Sequence, residues 1–375
     1  MNRTSPIHYD KWIFVSAFLL LTFGWLMVAS TSMVISDKQY GYPFHYLVKQ
    51  AVYLGMGVVL LYAAVHIPLR WWREKSGYLM VVTLILLVLV LVPGIGKVVN
   101  GSRRWIHVGF LNLQVSELAK LATIIYLSSY LERFSKEIQE EALGFIKPLI
   151  VLAIVGFLLL LEPNFGDTVV LSAAVMMMLF IANVRLWPFV VLLSVAVMGF
   201  SLLAIISPYR LARLTTFLNP WGHQFDSGYQ LTQSLMAFGR GGFLGVGLGN
   251  SVQKLFYLPE AHTDFLFAVI AEELGLLGSL LIVVAFAVLI GRSFILSRRA
   301  FFQRDLFAGY VAYGLAAWMG LQALVNIGVT TGLLPTKGLT LPLLSYGGSS
   351  LLINCIALGI LFRIFYELEE HPYGR

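Results

Sequence analysis

The stretch FLFAVIAEELGLLGSLLIVVAFAVLI, residues 265–290, decides the fold class of this chain. A helix needs about 20 mostly apolar residues to cross the hydrocarbon core of a bilayer, and this stretch exceeds that length. The whole chain of 375 residues has the same character, with 58% hydrophobic residues, 12% charged residues and a mean hydropathy of +0.82. Soluble domains contain about 25% charged residues. The sequence therefore predicts a multi-spanning membrane protein with one polytopic domain over residues 1–375.

Further apolar runs of about 17 to 25 residues predict an all-α fold with about ten transmembrane helices. The predicted spans are 13–35, 46–66, 78–93, 115–132, 148–163, 166–183, 187–207, 265–290, 306–333 and 340–365. A large extracytoplasmic loop, at about 208–263, is predicted between the seventh and eighth helices. Cys355 is the only cysteine, which excludes an intramolecular disulfide and a cysteine-based metal site.

The distribution of Lys and Arg predicts the orientation. With a cytoplasmic N-terminus, fifteen of the 26 fall in inner segments, ten fall in outer segments and Lys120 lies within a span. Positive residues are enriched in the cytoplasmic segments of membrane proteins. Both termini are therefore predicted to be cytoplasmic, and the start of the eighth helix is predicted to lie at the outer face.

Three carboxylates occupy the beginning of this eighth helix. Asp264 is predicted in its first outer turn, while Glu272 lies two turns deeper and Glu273 points to nearly the opposite side. Of the three, only Asp264 is expected to be partly exposed to water and also next to lipid. Structural roles also remain open, because an acidic residue favours a helix N-terminus and buried carboxylates pair with cations in a helix bundle.

Several basic residues and one further carboxylate gather on the same outer side. They are Arg103, Arg104, Glu117, Lys120, Arg210 and Lys337. Each has a structural interpretation, since loop arginines are solvated and Glu117 lies one helical turn from Lys120, where the two can pair. Together they predict an anion held at the outer surface beside a carboxylate.

The identity of this anion is narrowed by its surroundings. The glycine run GRGGFLGVGLG, residues 239–249, has no βαβ unit around it, so its glycines are interpreted as allowing tight turns and close backbone packing. Neither a nucleotide nor a nucleic-acid partner is expected. A lipid-linked diphosphate fits better, because its tail lies in membrane lipid while basic side chains hold its phosphates.

Long motifs carry a family resemblance that extends over about residues 12–366. They are GSRRWI, SELAKLA, EPNFGD, RLTTFLNPW, SGYQLTQSLMAFGRGGFLGVGLGNSVQKLFYLPEAHTDFLFAVIAEELG and GLLPTKGLTLPLLSYGGSSLL. The chain resembles the SEDS family of bacterial shape, elongation, division and sporulation proteins, and its division members more than its elongation members. Two positions depart from the family pattern: Val115 replaces a proline, and Asn164 replaces an aspartate, so no catalytic role is assigned to Asn164.

The resemblance implies a peptidoglycan glycosyltransferase of the cytoplasmic (inner) membrane. Such an enzyme polymerises lipid II, the undecaprenyl-diphosphate-linked disaccharide pentapeptide, at the outer face during septal wall synthesis in cell division. The resemblance also implies a complex with a class B penicillin-binding transpeptidase and other division proteins. On the family pattern, Asp264 is the essential carboxylate.

The chemistry of this reaction suggests roles for the remaining candidates. Transfer with inversion needs a base at the acceptor hydroxyl, for which we expect Asp264, and cations at the departing diphosphate. The predicted substrate-binding residues are Arg103, Lys120, Arg210, Lys337 and Glu117, with Glu260 and His262 shaping the mouth of the site. A divalent cation, Mg or Mn, could bridge Asp264 and phosphate, although no set of protein metal ligands stands out. A lipid II flippase and a proton-coupled transporter are the alternative functions.

Overall fold

The structure is a helix bundle with a small β-sheet at one end. It is a computed structural model that describes residues 9–99, 102–109, 111–140, 142–183, 190, 193–194, 197–199, 201–202, 205–206 and 216–370. The helices are α1 (Lys11–Tyr40), α2 (His45–His66), α3 (Leu69–Leu91), α4 (Val115–Arg133), α5 (Ser135–Glu140), α6 (Ala142–Leu161), α7 (Phe165–Ile181), α8 (Tyr229–Gly241), α9 (Leu266–Phe302), α10 (Leu306–Thr330) and α11 (Gly348–Glu370). The strands are β1 (Gly96–Val99), β2 (Ser102–Val108) and β3 (Leu111–Gln114).

Within the described residues, six helices are long and apolar enough to cross a membrane: α1, α2, α3, α9, α10 and α11. Shorter apolar helices cover Ile146–Leu161 and Phe165–Ile181. The predicted multi-pass helical fold is therefore confirmed. The seventh predicted span, 187–207, falls largely on residues outside the described part of the chain.

The core of the bundle lies around α4, α10 and α11. The most apolar windows of α10 and α11 are 67% and 72% buried, against 28% for α2 and for α3. Most residues of α4 are also buried, including its charged Glu117 and Lys120. Because a buried charge needs partners, polar groups from neighbouring helices must surround α4 at this depth.

The predicted outer loop around residues 96–114 is instead an antiparallel sheet in the order β1-β2-β3. Trp105 of β2 pairs with Lys97 of β1 on one side and with Gln114 of β3 on the other. We call this end of the bundle the sheet end. It also carries the turn 162–164, the segment 216–264 and the connection 331–347, which hydrogen bonds join to the sheet or to the end of α10.

The start of α3 also differs from the sequence prediction. The helix begins at Leu69, nine residues before the predicted start at 78, and therefore includes Arg70 and Arg73. Arg70 pairs with Glu74 one turn further along at 2.6 Å. A search for apolar residues misses such a turn, because charged residues are compatible with a helix wherever it leaves the membrane.

The glycine run packs its backbone against a break in α9. At Gly275 the helix has φ +66° and ψ −161°. There Leu276 donates its N–H to the carbonyl oxygen of Gly242, at 3.0 Å, and the N–H of Val246 reaches the carbonyl oxygen of Glu272 at 3.0 Å. A Cβ at Gly245 would lie 2.2 Å from the carbonyl oxygen of Glu273. The glycines thus provide close backbone packing, which confirms the interpretation made from the sequence.

The long loop before Asp264 contains further regular structure. Its middle part is α8, which buries Leu231, Thr232, Ser234 and Ala237 and follows a 3₁₀ turn at Pro220–His223. Ser234 donates to the carbonyl oxygen of Thr330 at 2.7 Å, which joins α8 to the end of α10. The loop is therefore fixed on the bundle just before the chain enters α9.

Candidate active site at the sheet end

Asp264 lies at the sheet end, two residues before α9 begins, and its side chain is partly exposed. The carbonyl oxygen of Asp264 accepts a hydrogen bond from Nδ2 of Asn326, at 2.8 Å, and the same amide group reaches the carbonyl oxygen of Leu339 at 2.5 Å. Asn326, a residue of α10, therefore holds the two segments that form the site. Asn326 lies inside a predicted helical span, and nothing in the sequence indicated that it would join these segments.

Lys337 is brought close to Asp264 by its neighbour Gly338. A Cβ at Gly338 would lie 3.0 Å from Oδ2 of Asp264, so the two backbone segments touch at this carboxylate. The ammonium nitrogen of Lys337 lies 4.1 Å from the centre of the Phe165 ring. This cation–π contact holds a partly exposed cation, and the next residue in the chain, Gly338, is the one that approaches the carboxylate.

Arg104 is the arginine of β2 that faces the turn between α6 and α7. Its guanidinium donates to the carbonyl oxygens of Glu162 and Pro163, at 3.0 and 2.6 Å. Burial lowers the pKa of Arg104, while the nearby carboxylates of Asp167, Glu162 and Asp264 oppose that change. The guanidinium remains charged, since an arginine pKa lies far above 7.

The neighbouring Arg103, the first of the predicted diphosphate ligands, lies in a different environment. Its Nη1 donates to the carbonyl oxygen of Leu91 at 3.0 Å, where α3 ends, and its stem covers Gly96. Successive side chains of a strand point to opposite faces, so only one of the two arginines can face the turn at Glu162. The sequence placed both arginines on the outer side, and the alternation of side chains along β2 shows that only Arg104 faces the turn at Glu162.

Glu162 is a buried carboxyl group in this same turn. Its side chain has no exposed surface, and neither carboxyl oxygen has a hydrogen-bond partner among the described residues. Burial raises the pKa of Glu162 to about 8; Arg104 opposes this rise, and Asp167 adds to it. The group is therefore mainly protonated and neutral at pH 7.

Lys120, a predicted substrate ligand, lies at the centre of a buried ion cluster. Its ammonium nitrogen is 2.9 Å from each of three oxygens, those of Glu117, Asp167 and Gln322. Its side chain has no exposed surface, and all three N–H donors are used. This geometry supports the structural ion pair that the sequence left open for Glu117 and Lys120.

Asp167, which sequence reasoning missed, completes this cluster from α7. Ser116 and Asn164 each donate to its Oδ2 at 2.7 Å, while Lys120 binds its Oδ1. The signal in the sequence was the acidic end of EPNFGD, but a partner 47 residues away cannot be assigned from spacing. Asn164, which replaces the aspartate of the family pattern, thus helps to hold Asp167.

Glu272 and Glu273 tie the preceding loop to α9. Glu272 accepts from the N–H of Val252 at 3.1 Å and from the hydroxyl of Ser251, and it forms an ion pair with Arg240 at 3.4 Å. Glu273 pairs with Lys254 at 2.7 Å. Both carboxylates are fully buried, so this geometry supports the structural roles that the sequence left open for them.

His262 and Glu260 lie two and four residues before Asp264, and their role in shaping the mouth of the site stays a prediction. The carbonyl oxygen of His262 accepts from the backbone N–H of Tyr346 at 3.0 Å, and Oε2 of Glu260 accepts from Thr263 at 2.7 Å. Burial lowers the pKa of His262, opposed by Glu260, so the imidazole is mainly neutral at pH 7. Arg210, the remaining candidate, lies outside the described residues.

A metal ligand set was not predicted from the sequence. Among the described residues, no group of three His, Cys, Asp or Glu side chains comes together to hold an ion. A divalent cation would therefore draw on Asp264 and on phosphate oxygens of a substrate, and it stays a prediction.

Known proteins are similar to this chain over nearly its whole length. The family model for cell cycle proteins, FTSW_RODA_SPOVE, matches residues 10–370. The chain belongs to this family. A protein of Coxiella burnetii named "Probable peptidoglycan glycosyltransferase FtsW" is 60% identical over 372 residues, which cover 99% of this chain and 100% of that protein. A protein of the same name in Legionella pneumophila is 55% identical, over 98% of this chain and 93% of its own length.

A solved structure supports the fold of the family. One chain in the work "Structural coordination of polymerization and crosslinking by a peptidoglycan synthase complex" matches with a TM-score of 0.79 and 27% identity, over 96% of this chain and 98% of that chain. These similarities confirm the predicted family, its likeness to the cell-division members and the predicted enzyme class, a glycosyltransferase. The residue roles within the site stay predictions.

Proposed function

We propose that this chain is a peptidoglycan glycosyltransferase that polymerises lipid II at the outer face of the cytoplasmic membrane during septal wall synthesis. One observation carries the proposal for the site. Asp264 is a partly exposed carboxylate with Lys337 and Arg104 close by, whereas Glu272 and Glu273 are buried in ion pairs. Of the three carboxylates at the start of the eighth predicted span, Asp264 is thus the one that a membrane-bound substrate can reach.

The reaction that this site supports is a displacement at an anomeric carbon. Asp264 removes the proton from the 4-hydroxyl of the acceptor sugar, and that oxygen attacks the anomeric carbon of the donor from the face opposite the diphosphate. The bond between the anomeric carbon and the phosphate oxygen breaks, and the diphosphate leaves with the electron pair. Arg104 and Lys337 stabilise the negative charge that grows on the leaving group.

The location and partners follow from the same proposal. The site faces outward with both termini in the cytoplasm, and the protein works at the division septum with a class B penicillin-binding transpeptidase. The similarity to a chain of a peptidoglycan synthase complex supports such a partner. Glu260 and His262 shape the acceptor side of the mouth, and a divalent cation, when bound, would add positive charge at the diphosphate.

The direct test uses purified protein in lipid nanodiscs with labelled lipid II, with and without the transpeptidase partner. We expect glycan chains on a gel with the wild-type protein. Asp264→Asn should reduce their rate of synthesis by about 10²- to 10⁴-fold, the usual contribution of a general base, while folding and partner binding are preserved.

Three other outcomes would contradict parts of the proposal. Near-normal synthesis by Asp264→Asn would remove this residue from the mechanism, and loss of partner binding would make its role structural. Movement of lipid II across the membrane without any glycan product, under conditions where partner and metal are supplied, would support the flippase alternative instead.

A further inference from the structure

Three aromatic rings meet around His262, two residues before Asp264 in the chain. Tyr46 comes from the first turn of α2, His262 precedes Asp264 by two residues, and Tyr346 lies in the connection before α11. The ring centres of Tyr46 and His262 are 5.1 Å apart, those of Tyr46 and Tyr346 5.2 Å, and those of His262 and Tyr346 5.6 Å. We call these three residues the ring cluster. Each remains partly exposed, so the cluster is not a closed piece of core.

The ring cluster is also bordered by polar groups. The Nδ1 atom of His262 is buried and has no hydrogen-bond partner among the described residues. The hydroxyl of Tyr46 donates to Gln39 at 2.8 Å, and the carboxylate of Glu260 lies near both Tyr46 and His262. Apolar ring faces bordered by a few hydrogen-bonding groups are typical of small-molecule sites.

Asp264 follows His262 of the ring cluster by two residues, and it also lies near the segment of Lys337 and near Arg104. On one side, Gly338 at its carboxylate leads back to Lys337, and Arg104 lies close enough to interact electrostatically. On the other side, the backbone N–H of Tyr346 donates a hydrogen bond to the carbonyl oxygen of His262. The site therefore has cationic residues that can bind a diphosphate. It also has uncharged aromatic residues, which cannot balance the charge of a diphosphate.

A glycosyl transfer needs these two environments. The donor carries the diphosphate leaving group, whereas the reacting end of the acceptor is an uncharged sugar ring with C–H groups on its faces and hydroxyls at its edge. The electron-rich face of an aromatic ring attracts such C–H groups, and neighbouring polar atoms bind the hydroxyls.

We propose that the ring cluster binds the pyranose rings of the acceptor glycan and presents a 4-hydroxyl to Asp264, while the donor diphosphate lies on the side of Arg104 and Lys337. This inference rests on the proposed glycosyltransferase function and assigns the two substrates to separate sides of the site. Tyr46 and Tyr346 are its new residues, because sequence reasoning had named only His262 and Glu260.

The rings of a bilayer-interface belt would have a different arrangement. Tyr and Trp collect at membrane interfaces with their rings open to the headgroups. Tyr42 and Phe44, which are 50% and 40% exposed, fit that description, whereas Tyr40, 51% exposed, also contacts Tyr46 with ring centres 5.8 Å apart. The ring cluster lies further inside and joins three separate segments of the chain, of which one carries Asp264.

The test measures binding of soluble, uncrosslinked oligomers of alternating N-acetylglucosamine and N-acetylmuramic acid that carry neither lipid nor diphosphate. With the full chain in nanodiscs, saturation-transfer NMR should detect these oligomers on the wild-type protein. Tyr46→Leu and Tyr346→Leu should weaken binding by about 3- to 10-fold, the effect of losing one aromatic contact. Tyr46→Phe, which keeps the ring, should retain most of the affinity.

Matched controls separate this inference from the proposed function. Tyr62→Leu removes an exposed ring from the same helix, where Tyr62 contacts His66 near the opposite end, and should leave binding unchanged. Asp264→Asn should bind the oligomers while failing to polymerise lipid II. If the wild-type protein binds oligomers through these rings but makes no glycan, the result contradicts the proposed function and supports the binding site.

Two results would overturn the inference itself. One is wild-type affinity for the oligomers in both folded leucine variants while the wild-type protein polymerises lipid II normally. The second needs no variant and covers the case in which those variants do not fold. In wild-type protein deuterated everywhere except at tyrosine, irradiation of the tyrosine protons should saturate the sugar ring protons, and absence of that transfer would exclude tyrosine contact.

Discussion

The cluster of Glu117, Lys120 and Asp167 differs from the site at Asp264, although both combine carboxylates with cations near the sheet end. In the cluster, every ammonium hydrogen has an oxygen partner and the side chains have almost no exposed surface. At Asp264, the carboxylate and the neighbouring Lys337 and Arg104 are partly exposed. Charges that are fully satisfied inside the bundle hold helices together, whereas charges at its surface remain accessible to a substrate.

The largest expected effect on stability comes from breaking the cluster. Lys120→Met strands Glu117 and Asp167 as buried carboxylates, and we expect a loss of about 3 to 5 kcal/mol in the free energy of unfolding. Lys147→Met is the matched control, since Lys147 forms an ion pair with Glu137 in which the side chains are 58% and 43% exposed. Exposed pairs contribute about 0 to 1 kcal/mol. Denaturant unfolding in nanodiscs would measure both.

A different result would assign the cluster to catalysis instead of to stability. If Lys120→Met unfolds like the wild-type protein but no longer polymerises lipid II, then Lys120 is a substrate ligand, as the sequence alone suggested. The cluster would then belong to the chemistry and not to the scaffold.

The next effect concerns the two adjacent arginines of β2. Arg104→Gln should lower the maximal rate of polymerisation by about 10- to 100-fold at saturating lipid II, because the charge on a leaving diphosphate grows in the transition state. Arg103→Gln should leave that rate nearly unchanged, because Arg103 lies at the end of α3. Steady-state kinetics of both variants would decide between them, with thermal unfolding to verify that each is folded. A lower maximal rate for Arg103→Gln than for Arg104→Gln would show that Arg103, and not Arg104, is the diphosphate ligand.

A smaller effect tests how the loop before Asp264 is held. Gly245→Ala places a Cβ at φ +80° and against the carbonyl oxygen of Glu273, so we expect a loss of about 1 to 3 kcal/mol. Gly239→Ala is the control, because this glycine lies within α8 and a Cβ there meets no described atom within 4 Å. That change should be neutral or should stabilise the protein by up to about 1 kcal/mol. Equal melting temperatures for the two variants would show that the backbone pairing at Gly275 contributes little.

The smallest effect, taken per pH unit, is a pH dependence from Glu162. Its folded pKa of about 8 lies above the unfolded value near 4.5, so the folded protein keeps a proton that the unfolded chain loses between these pH values. Stability is therefore lost as pH rises through this window, by on the order of 1 kcal/mol per pH unit. Glu162→Gln should flatten the dependence, and unfolding measured from pH 5 to 9 would show it. Parallel curves for the variant and the wild-type protein would contradict this prediction for Glu162.

The cationic side chain facing Glu162 must be included in this measurement. Arg104 donates to the carbonyl oxygen of the same residue, and Asp167 lies close enough to influence its titration. Arg104→Gln in the same series should raise the titration midpoint of Glu162 further, because it removes the cation that, among the described residues, opposes its protonation.

The sequence by itself determined the features that depend on local length and composition. Apolar runs predicted the membrane-spanning helices because each must fill the thickness of a bilayer, and the glycines of 239–249 indicated close backbone packing because no other residue allows it. Motifs along the chain identified the family and its cell-division members, and the polar start of the eighth span singled out Asp264.

The tertiary structure decided which polar groups meet, because those partners come from separate helices and loops. Lys120 pairs with Asp167 of α7, Glu272 binds the backbone at Val252, and Tyr46 reaches His262 and Tyr346. Strand alternation placed Arg104, and not Arg103, at the turn of Glu162. Spacing along one helix fixes direction but not the neighbour across the bundle, so only the packed structure separates the charges that hold the scaffold from those left for chemistry.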